Sequence, residues 1–302
     1  ERAPALESFL ATLDRERLAH EQTLTRLSRD ATAMMLQAIF DLHRPVRAEF
    51  LAALWDTTEG NPFFVEELLK SLIAAGEIFY AHGQWDRKPI AELHIPRSVH
   101  LAVQRRLEHL SAEARDLLTI AAVAGRRFDF HLIQALTQHD ERALTRLIKE
   151  LIAAQFVIEE SEDVFVFRHA LTRQAVESDL LARERRALHR TIAEAIEQLS
   201  AAAPDLAVAD LAQHWYAAGA WQQTLEYARR AGEQARSLYA PRAAATQFSR
   251  AIEAAQRLGQ SPPGALYRVR GQVYELLDEF DAAHDDYLQA QAAARATADR
   301  TA

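Results

Sequence analysis

Cysteine is absent from this chain of 302 residues. Its absence excludes disulfide bonds, a thiolate nucleophile and zinc sites built on cysteine. Glycine and proline are scarce, at nine residues each. Because both residues interrupt helices, their scarcity favours a mainly α fold. No apolar run approaches the roughly 18 residues of a membrane-spanning helix, so none is expected.

The residues that usually perform ATP hydrolysis are also missing. No Gly-x-x-x-x-Gly-Lys-Ser/Thr loop occurs, and no apolar strand ends in the paired acids that would hold magnesium. We therefore predict no catalytic residues in this chain, and any ATPase activity would belong to a longer parent protein. No metal site is predicted, because none of the 12 histidines forms a His-x-x-x-His pair.

Acidic side chains outnumber basic ones. Lysine and arginine total 35 and aspartate and glutamate total 43, so the net charge is 35 − 43 = −8. Such a chain has no general attraction for nucleic acid or for anionic membranes. We expect a cytoplasmic protein that makes no direct contact with nucleic acid and none with a membrane.

The sequence pattern divides the chain into four regions. Residues 1–22 are interpreted as the tail of a preceding domain. Residues 23–95 predict helices, the first of them capped by Ser28, followed by a short hairpin around His82-Gly83. Residues 96–170 predict a helix at 97–109 and then, over 111–168, three helices and a two-stranded ribbon, which is the element order of a winged helix. Residues 171–302 are helical in pattern nearly throughout.

Gly60-Asn61-Pro62 is the most informative stretch of the chain. Gly60 is suited to end one helix in a left-handed conformation, and Pro62 is suited to the first turn of the next helix. Considered by these properties alone, the stretch is a helix–loop–helix corner.

His169 lies where the predicted ribbon leads into a helix. A histidine at such a junction is often only a cap, but its N–H at a helix N-terminus is also a suitable donor to phosphate. The ribbon tip carries Glu159, Glu160, Glu162 and Asp163, which would repel a DNA backbone. We therefore interpret residues 96–170 as a structural brace, although Arg142, Arg146 and Lys149 line the outer face of the would-be recognition helix.

The last region contains a weak internal repeat. Trp221, Pro241 and Phe280 each open the same pattern of large and small residues, which predicts helix pairs of about 40 residues. The pattern resembles tetratricopeptide repeats, and the alternative is a generic alanine-rich bundle. The predicted fold is thus mainly α, with a helical lid, a winged helix and an α-solenoid.

Two of these motifs resemble those of the signal-transduction NTPases with numerous domains. Gly60-Asn61-Pro62 resembles the Gly-x-Pro motif of that family, and Arg168-His169-Ala170 is similar to its Met-His-Asp motif, although only the histidine matches strictly. The resemblance implies that Pro62 packs against adenine and that His169 contacts the β-phosphate of ADP. Gly60, Asn61, Pro62 and His169 are therefore the predicted cofactor-binding residues.

The resemblance also implies a mechanism and a set of partners. ATP or ADP would be the cofactor of the longer parent, whose NTPase core precedes residue 23, and the fragment alone would have no cofactor. A protein or small-molecule inducer would bind the repeats, and the activated form would self-associate. Bacterial relatives include LuxR-type transcriptional activators and adenylate cyclases. The competing hypothesis is a nucleotide-independent repeat scaffold, and a third, an enzyme with an unfamiliar site, has no support in the sequence.

Overall fold

The computed structural model describes residues 24–42, 44–81, 84–87, 96–201 and 207–301, and their side chains except those of residues 81, 84, 87 and 296–301. The chain divides into two compact units, Glu1–Pro96 and Arg97–Ala302. The regions predicted for residues 96–170 and 171–302 both fall in the second unit. The predictions for residues 1–22 lie outside the described residues.

The described part of the first unit contains three helices and a hairpin. Its helices are α1 (Arg29–Phe40), α2 (Ala48–Thr58) and α3 (Pro62–Ala74), and its strands are β1 (Ile78–Ala81) and β2 (Gln84–Arg87). Ser28 caps α1 by accepting the Ala31 N–H at 3.1 Å, which confirms the predicted N-cap. The two strands pair antiparallel from Ile78↔Arg87 to Ala81↔Gln84, so the predicted hairpin is present.

One apolar cluster holds the first unit together. Side chains from all three helices and from β1 are removed from water, and the innermost are Leu36, Leu54, Val65 and Leu68. They recur at helical spacing, so each helix buries one face, and burial of that face is the main term that stabilises the unit.

The second unit begins with a mixed helix–strand region. Its helices are α4 (Arg97–Leu107), α5 (Ala112–Ala124), α6 (Phe130–Thr137), α7 (Glu141–Ala153) and α8 (Ala170–Ser178). Three short strands, β3 (Arg127–Asp129), β4 (Val157–Ser161) and β5 (Val164–Phe167), form an antiparallel sheet in the order β3-β5-β4. The largest fully buried side chains of the chain include Phe156, Phe167 and, on α7, Leu144, Leu147 and Leu151.

Strand β3 was not predicted from the sequence. It has three residues, and its only described partner is β5, through the pairs Arg127↔Val166 and Phe128↔Phe165. A strand of that length carries no periodicity that identifies it, because pairing with a distant strand defines it. The three helices and the two-stranded ribbon of the predicted order are α5, α6 and α7 followed by β4 and β5.

The remaining helices form an array in which consecutive helices pack on each other. They are α9 (Ala182–Leu199), α10 (Val208–Ala218), α11 (Trp221–Ser237), α12 (Pro241–Arg257), α13 (Gly264–Glu275) and α14 (Phe280–Thr301). Alternate helices also meet, since α10 contacts α12, and α9 packs on α5 and α6. The predicted mainly α fold with a helical solenoid is thus confirmed.

The repeat pattern marks helix starts. Trp221, Pro241 and Phe280 are the first residues of α11, α12 and α14. Since α11 and α12 are consecutive, the pattern recurs within a helix pair as well as between pairs, which makes the repeat less regular than the predicted spacing.

An ion pair connects the last helices of the array. Arg270 of α13 donates two hydrogen bonds to the carboxylate of Asp286 on α14, at 2.8 and 2.6 Å, and a third to the Ser249 hydroxyl on α12 at 2.9 Å. The Asp286 side chain is only 5% exposed. Such a buried carboxylate requires its partners, so this contact fixes three helices at once.

Candidate functional site: the 59–62 corner and the His169 junction

The 59–62 corner consists of Glu59, Gly60, Asn61 and Pro62, and it connects α2 to α3. Glu59 ends α2 in the left-handed region with φ of 53°, and Gly60 follows in the same region with φ of 69°. The Asn61 side chain then accepts the Phe63 N–H at 3.1 Å, and Pro62 is the first residue of α3. The predicted stop and restart are present, with two left-handed residues rather than one.

Gly60 has a steric reason to be glycine beyond its φ. Its carbonyl accepts the Leu27 N–H at 2.9 Å, and the Leu27 carbonyl in turn accepts the Trp55 indole N–H at 3.1 Å. A Cβ built on Gly60 would lie 2.1 Å from the Leu27 oxygen, a distance that no side chain tolerates. The backbone around Leu27 is therefore packed directly against the corner.

Glu59 contributes a second link to the same segment. Its side chain is only 5% exposed and forms an ion pair with the half-exposed guanidinium of Arg26. A buried carboxylate is costly without such a partner, so the pair fixes the corner to the chain that precedes α1.

Pro62 and Phe63 lie on the surface, while the next two residues are buried. Phe63 is 49% exposed, whereas Phe64 and Val65 belong to the core. The first turn of α3 thus presents a proline ring and a phenyl ring to the outside from a backbone that is fixed underneath. An apolar surface of this kind can stack against a flat heterocycle.

His169 is the residue between β5 and α8. Its backbone is extended, with φ of −140° and ψ of 133°, and its carbonyl accepts the N–H groups of Thr172 and Arg173. It is the N-cap residue of α8 by position, but its imidazole makes no capping hydrogen bond, so the capping interpretation does not explain the side chain. The residue is half-buried.

Two arginines, Arg168 at the junction itself and Arg106 of α4, both contact Phe156. Arg168 donates its backbone N–H to the Phe156 carbonyl at 2.9 Å, and the Arg106 guanidinium lies over the Phe156 ring at 4.6 Å. Arg106 also donates to the carbonyls of Ala154 and Gln155 at 2.8 and 2.9 Å. Burial, and then the charge of Arg168, lowers the pKa of the Arg106 guanidinium below its ordinary value. Sequence reasoning missed Arg106, because nothing along the chain connects it to residue 156.

The tip of the β4–β5 ribbon is acidic, as expected. Glu159, Glu160, Glu162 and Asp163 are all exposed, and Glu160 forms an ion pair with Arg127. Of the basic residues on α7, Arg146 is paired with Glu113 at 3.0 Å. The described residues include no group of three or more side chains that could hold a metal ion. Among the same residues, no helix is long and apolar enough to cross a membrane.

A buried pair of histidines was not predicted. The Nδ1 atoms of His189 on α9 and His214 on α10 are 2.8 Å apart, and the two residues are 7% and 3% exposed. Burial, together with the neighbouring His189, lowers the pKa of His214 to about 4, and burial also lowers the pKa of His189. A hydrogen bond from His214 to the Ala124 carbonyl, at the end of α5, partly offsets this by raising the pKa of His214.

The predicted site residues fall in both units. Gly60, Asn61 and Pro62 belong to the first unit, and His169 belongs to the second. Within the first unit the structure brings the three corner residues together with Arg26, Leu27 and Trp55. Within the second, His169 directly follows Arg168, whose backbone N–H is bonded to Phe156, the residue that Arg106 covers.

Comparison with known proteins gives similarities without a family assignment. No protein-family model matches the chain. Among solved structures, the chain is similar to a signal transduction ATPase with numerous domains from Pyrococcus horikoshii that carries a tetratricopeptide repeat sensor. The TM-score is 0.37 and the identity 13%, over 89% of this chain and 41% of that one.

Among curated proteins, the chain is similar to an uncharacterised protein of Rhizobium meliloti (strain 1021). The two are 26% identical over 225 residues, which are 71% of this chain. The matched segment spans only 21% of that relative's length. What the whole relative does therefore does not transfer to this chain.

Proposed function

We propose that this chain is the regulatory part of a signal-transduction ATPase that is switched by ATP and ADP. The corner at Pro62 would contact the adenine, and His169 would contact the β-phosphate of ADP, which together would hold the closed, inactive form. Exchange for ATP, or an inducer bound to the α9–α14 array, would release that form. An inducer shifts this equilibrium only if it binds the open and closed forms with different affinity.

One observation carries the proposal. The rings of Pro62 and Phe63 lie outside the core, at a corner whose backbone is fixed by Leu27, Trp55 and the Arg26–Glu59 pair. A surface that is apolar and rigid costs little entropy when a flat heterocycle binds to it. Arg168, which directly precedes His169, supplies a positive charge of the kind that binds phosphate.

The output that we propose is transcriptional regulation of the LuxR type, carried out by a part of the longer protein. The ribbon with its four carboxylates would brace the junction and would not contact DNA. Regulation of an adenylate cyclase is the alternative output.

The test is retention of ADP by the longer protein purified from cells. Pro62→Ala and His169→Ala should each reduce the ADP that remains bound, His169→Ala by about tenfold or more because it removes a donor to a charged oxygen. Pro241→Ala, at the first position of α12, and His131→Ala, at an exposed histidine, are the matched controls. If both test variants retain as much ADP as the wild type, the proposal is wrong.

A repeat scaffold that ignores nucleotide is the second candidate, and the α9–α14 array favours it. Consecutive helices that pack on each other produce the extended surface on which repeat proteins bind other chains. This candidate predicts that a partner isolated with the longer protein binds equally well with ADP, with ATP and without nucleotide.

A further inference from the structure

A cavity opens on the first unit between α1, the loop that follows it, α2 and the β-hairpin. Its volume is about 120 Å³. Its apolar walls are provided by core side chains and by one indole: Leu36, Phe40, Phe50, Ile78 and Trp85. Neither Gly60, Asn61 nor Pro62 lines it, so the cavity is separate from the 59–62 corner.

The walls of the cavity are fixed by contacts of their own. The rings of Phe40 and Trp85 meet edge to face with centroids 5.0 Å apart, and Tyr80 packs on the same indole from the hairpin at 5.4 Å. An apolar cavity of roughly 150 Å³ accepts a benzene molecule. The cavity here is somewhat smaller but open on one side, so it suits at most one aromatic ring or a branched aliphatic group, which would make dispersion contacts with its walls.

The open side of the cavity is basic. Arg44 and Arg47 both line it, and both are exposed. The Arg44 guanidinium is held there by a hydrogen bond to the Trp85 carbonyl at 3.3 Å. Asp86 also belongs to the lining, so two cations and one anion leave the opening with a net positive charge.

These two arginines differ from Arg26 and Arg29 of the same unit. Arg26 forms an ion pair with Glu59, and Arg29 pairs with Asp56 at 2.8 Å. Arg44 and Arg47 form no ion pair with any residue in the described part of the chain. Cations at the edge of an apolar cavity favour a ligand that has an apolar body and an anionic group.

We propose that this cavity binds a small organic acid that combines one aromatic ring, or a branched aliphatic body, with a single carboxylate. The apolar body lies among Phe40, Phe50 and Trp85, and the carboxylate accepts hydrogen bonds from Arg44 and Arg47. Such a ligand contacts α1, α2 and the hairpin at once, so its binding stabilises the first unit. This site is independent of nucleotide and stands whether or not the 59–62 corner contacts adenine.

The probes are benzoate and benzyl alcohol, which share a ring but differ in charge. The readout is the indole N–H signal of Trp85 in two-dimensional NMR of the full chain, assigned by Trp85→Phe. The indole of Trp55 lies in the same unit outside the lining and serves as the internal reference. Benzoate should shift the Trp85 signal saturably with a Kd on the order of 1 mM or lower, about tenfold below that of benzyl alcohol.

Three variants separate the apolar and charged parts of the site. Val46→Phe places a ring in the cavity and should abolish binding of both probes. Arg44→Gln combined with Arg47→Gln should weaken benzoate about tenfold and leave benzyl alcohol unchanged. Arg29→Gln, which removes an arginine of the same unit that does not line the cavity, should leave both affinities unchanged.

The proposal is overturned if benzoate causes no saturable shift of Trp85 at roughly tenfold above that Kd while the Trp55 signal shows a folded unit. It is also overturned if benzyl alcohol binds as tightly as benzoate, because the arginines would then play no part. Equal affinity in the wild type and the Arg44→Gln, Arg47→Gln variant leads to the same conclusion.

Discussion

At the residue scale, Gly60 combines two requirements that no other residue type meets. Its φ of 69° disfavours a side chain, and the Leu27 carbonyl occupies the space that a Cβ would need. The φ alone only favours glycine, since Glu59 is also left-handed with φ of 53°. The Leu27 contact excludes any side chain, and it also fixes what the corner packs against. The corner therefore belongs to the core of the first unit on one side, while its proline faces outward.

Gly60→Ala should destabilise the first unit more than glycine conformation alone explains. A left-handed alanine costs about 1 kcal/mol, and the contact with Leu27 should raise the loss to roughly 3 kcal/mol or more. Gly76→Ala is the matched control, since Gly76 has φ of 68° and no atom within 4 Å of the added Cβ. Urea unfolding of the two variants measures the difference. Equal losses in the free energy of unfolding would show that the backbone at Leu27 moves aside for the added methyl group.

The His189–His214 pair makes stability depend on pH. Both histidines titrate near 6.5 in the unfolded chain, whereas burial lowers both pKa values in the folded chain, that of His214 to about 4. The unfolded chain therefore binds more protons between these values, so the stabilisation is complete above pH 6.5 and is lost as the pH falls towards 4.

For His214 this loss is on the order of 3 kcal/mol. For His189, Glu177 of α8 reduces the loss because it raises the pKa of the imidazole, whereas Arg185 of α9 and Arg173 of α8 enlarge the loss because they lower that pKa. Urea unfolding of the second unit at pH 7.5 and pH 5 measures the effect. His189→Leu combined with His214→Leu should flatten the pH dependence of the free energy of unfolding. If the double variant keeps the dependence of the wild type, other groups cause it.

At the element scale, helices of the array approach closely where glycine faces an aromatic ring. Gly232 of α11 faces Phe248 of α12, and Gly271 of α13 faces Tyr287 of α14. The alternation of small and large residues in the sequence predicted such packing in general terms. Which ring meets which glycine is a property of the three-dimensional array.

Gly232→Ala should destabilise the second unit, although alanine is the better helix former by about 1 kcal/mol. The added Cβ would lie 2.7 Å from the ring of Phe248, which is 1% exposed and cannot withdraw into solvent. Overpacking of this kind costs roughly 1–3 kcal/mol. Thermal unfolding measures the sign of the change in stability. A variant more stable than the wild type would show that α11 and α12 move apart at little cost.

The elements themselves were predictable where their signals are local. Helix starts are signalled by residues that directly precede or open the helix in the sequence. In the structure these positions are taken by Ser28, Asn61 with Pro62, Ser111 and Asp140. Strand β3 and the His189–His214 pair were not predictable, because each is defined by a partner on another element. Arg106 was missed for the same reason.

At the scale of the whole molecule, the chain consists of a small helical unit with a hairpin and a larger unit that ends in a helical array. The sequence motifs at Gly60 and His169 fall in different units. The cofactor roles of Gly60, Asn61, Pro62 and His169 were inferred from resemblance and stay predictions. The structure adds a physical reason why residue 60 is a glycine, and it shows that Pro62 lies on the surface.

The central proposal is that the 59–62 corner contacts the adenine of ADP and that His169 contacts its β-phosphate. Hydrogen exchange of the longer protein, compared with and without ADP, tests it most directly. ADP should slow exchange in residues 60–66 and in residues 169–174 together, with the same concentration dependence, while the α12–α13 segment stays unchanged. Protection of neither segment, or of only one, would contradict the claim, and the α9–α14 scaffold would then be the better account.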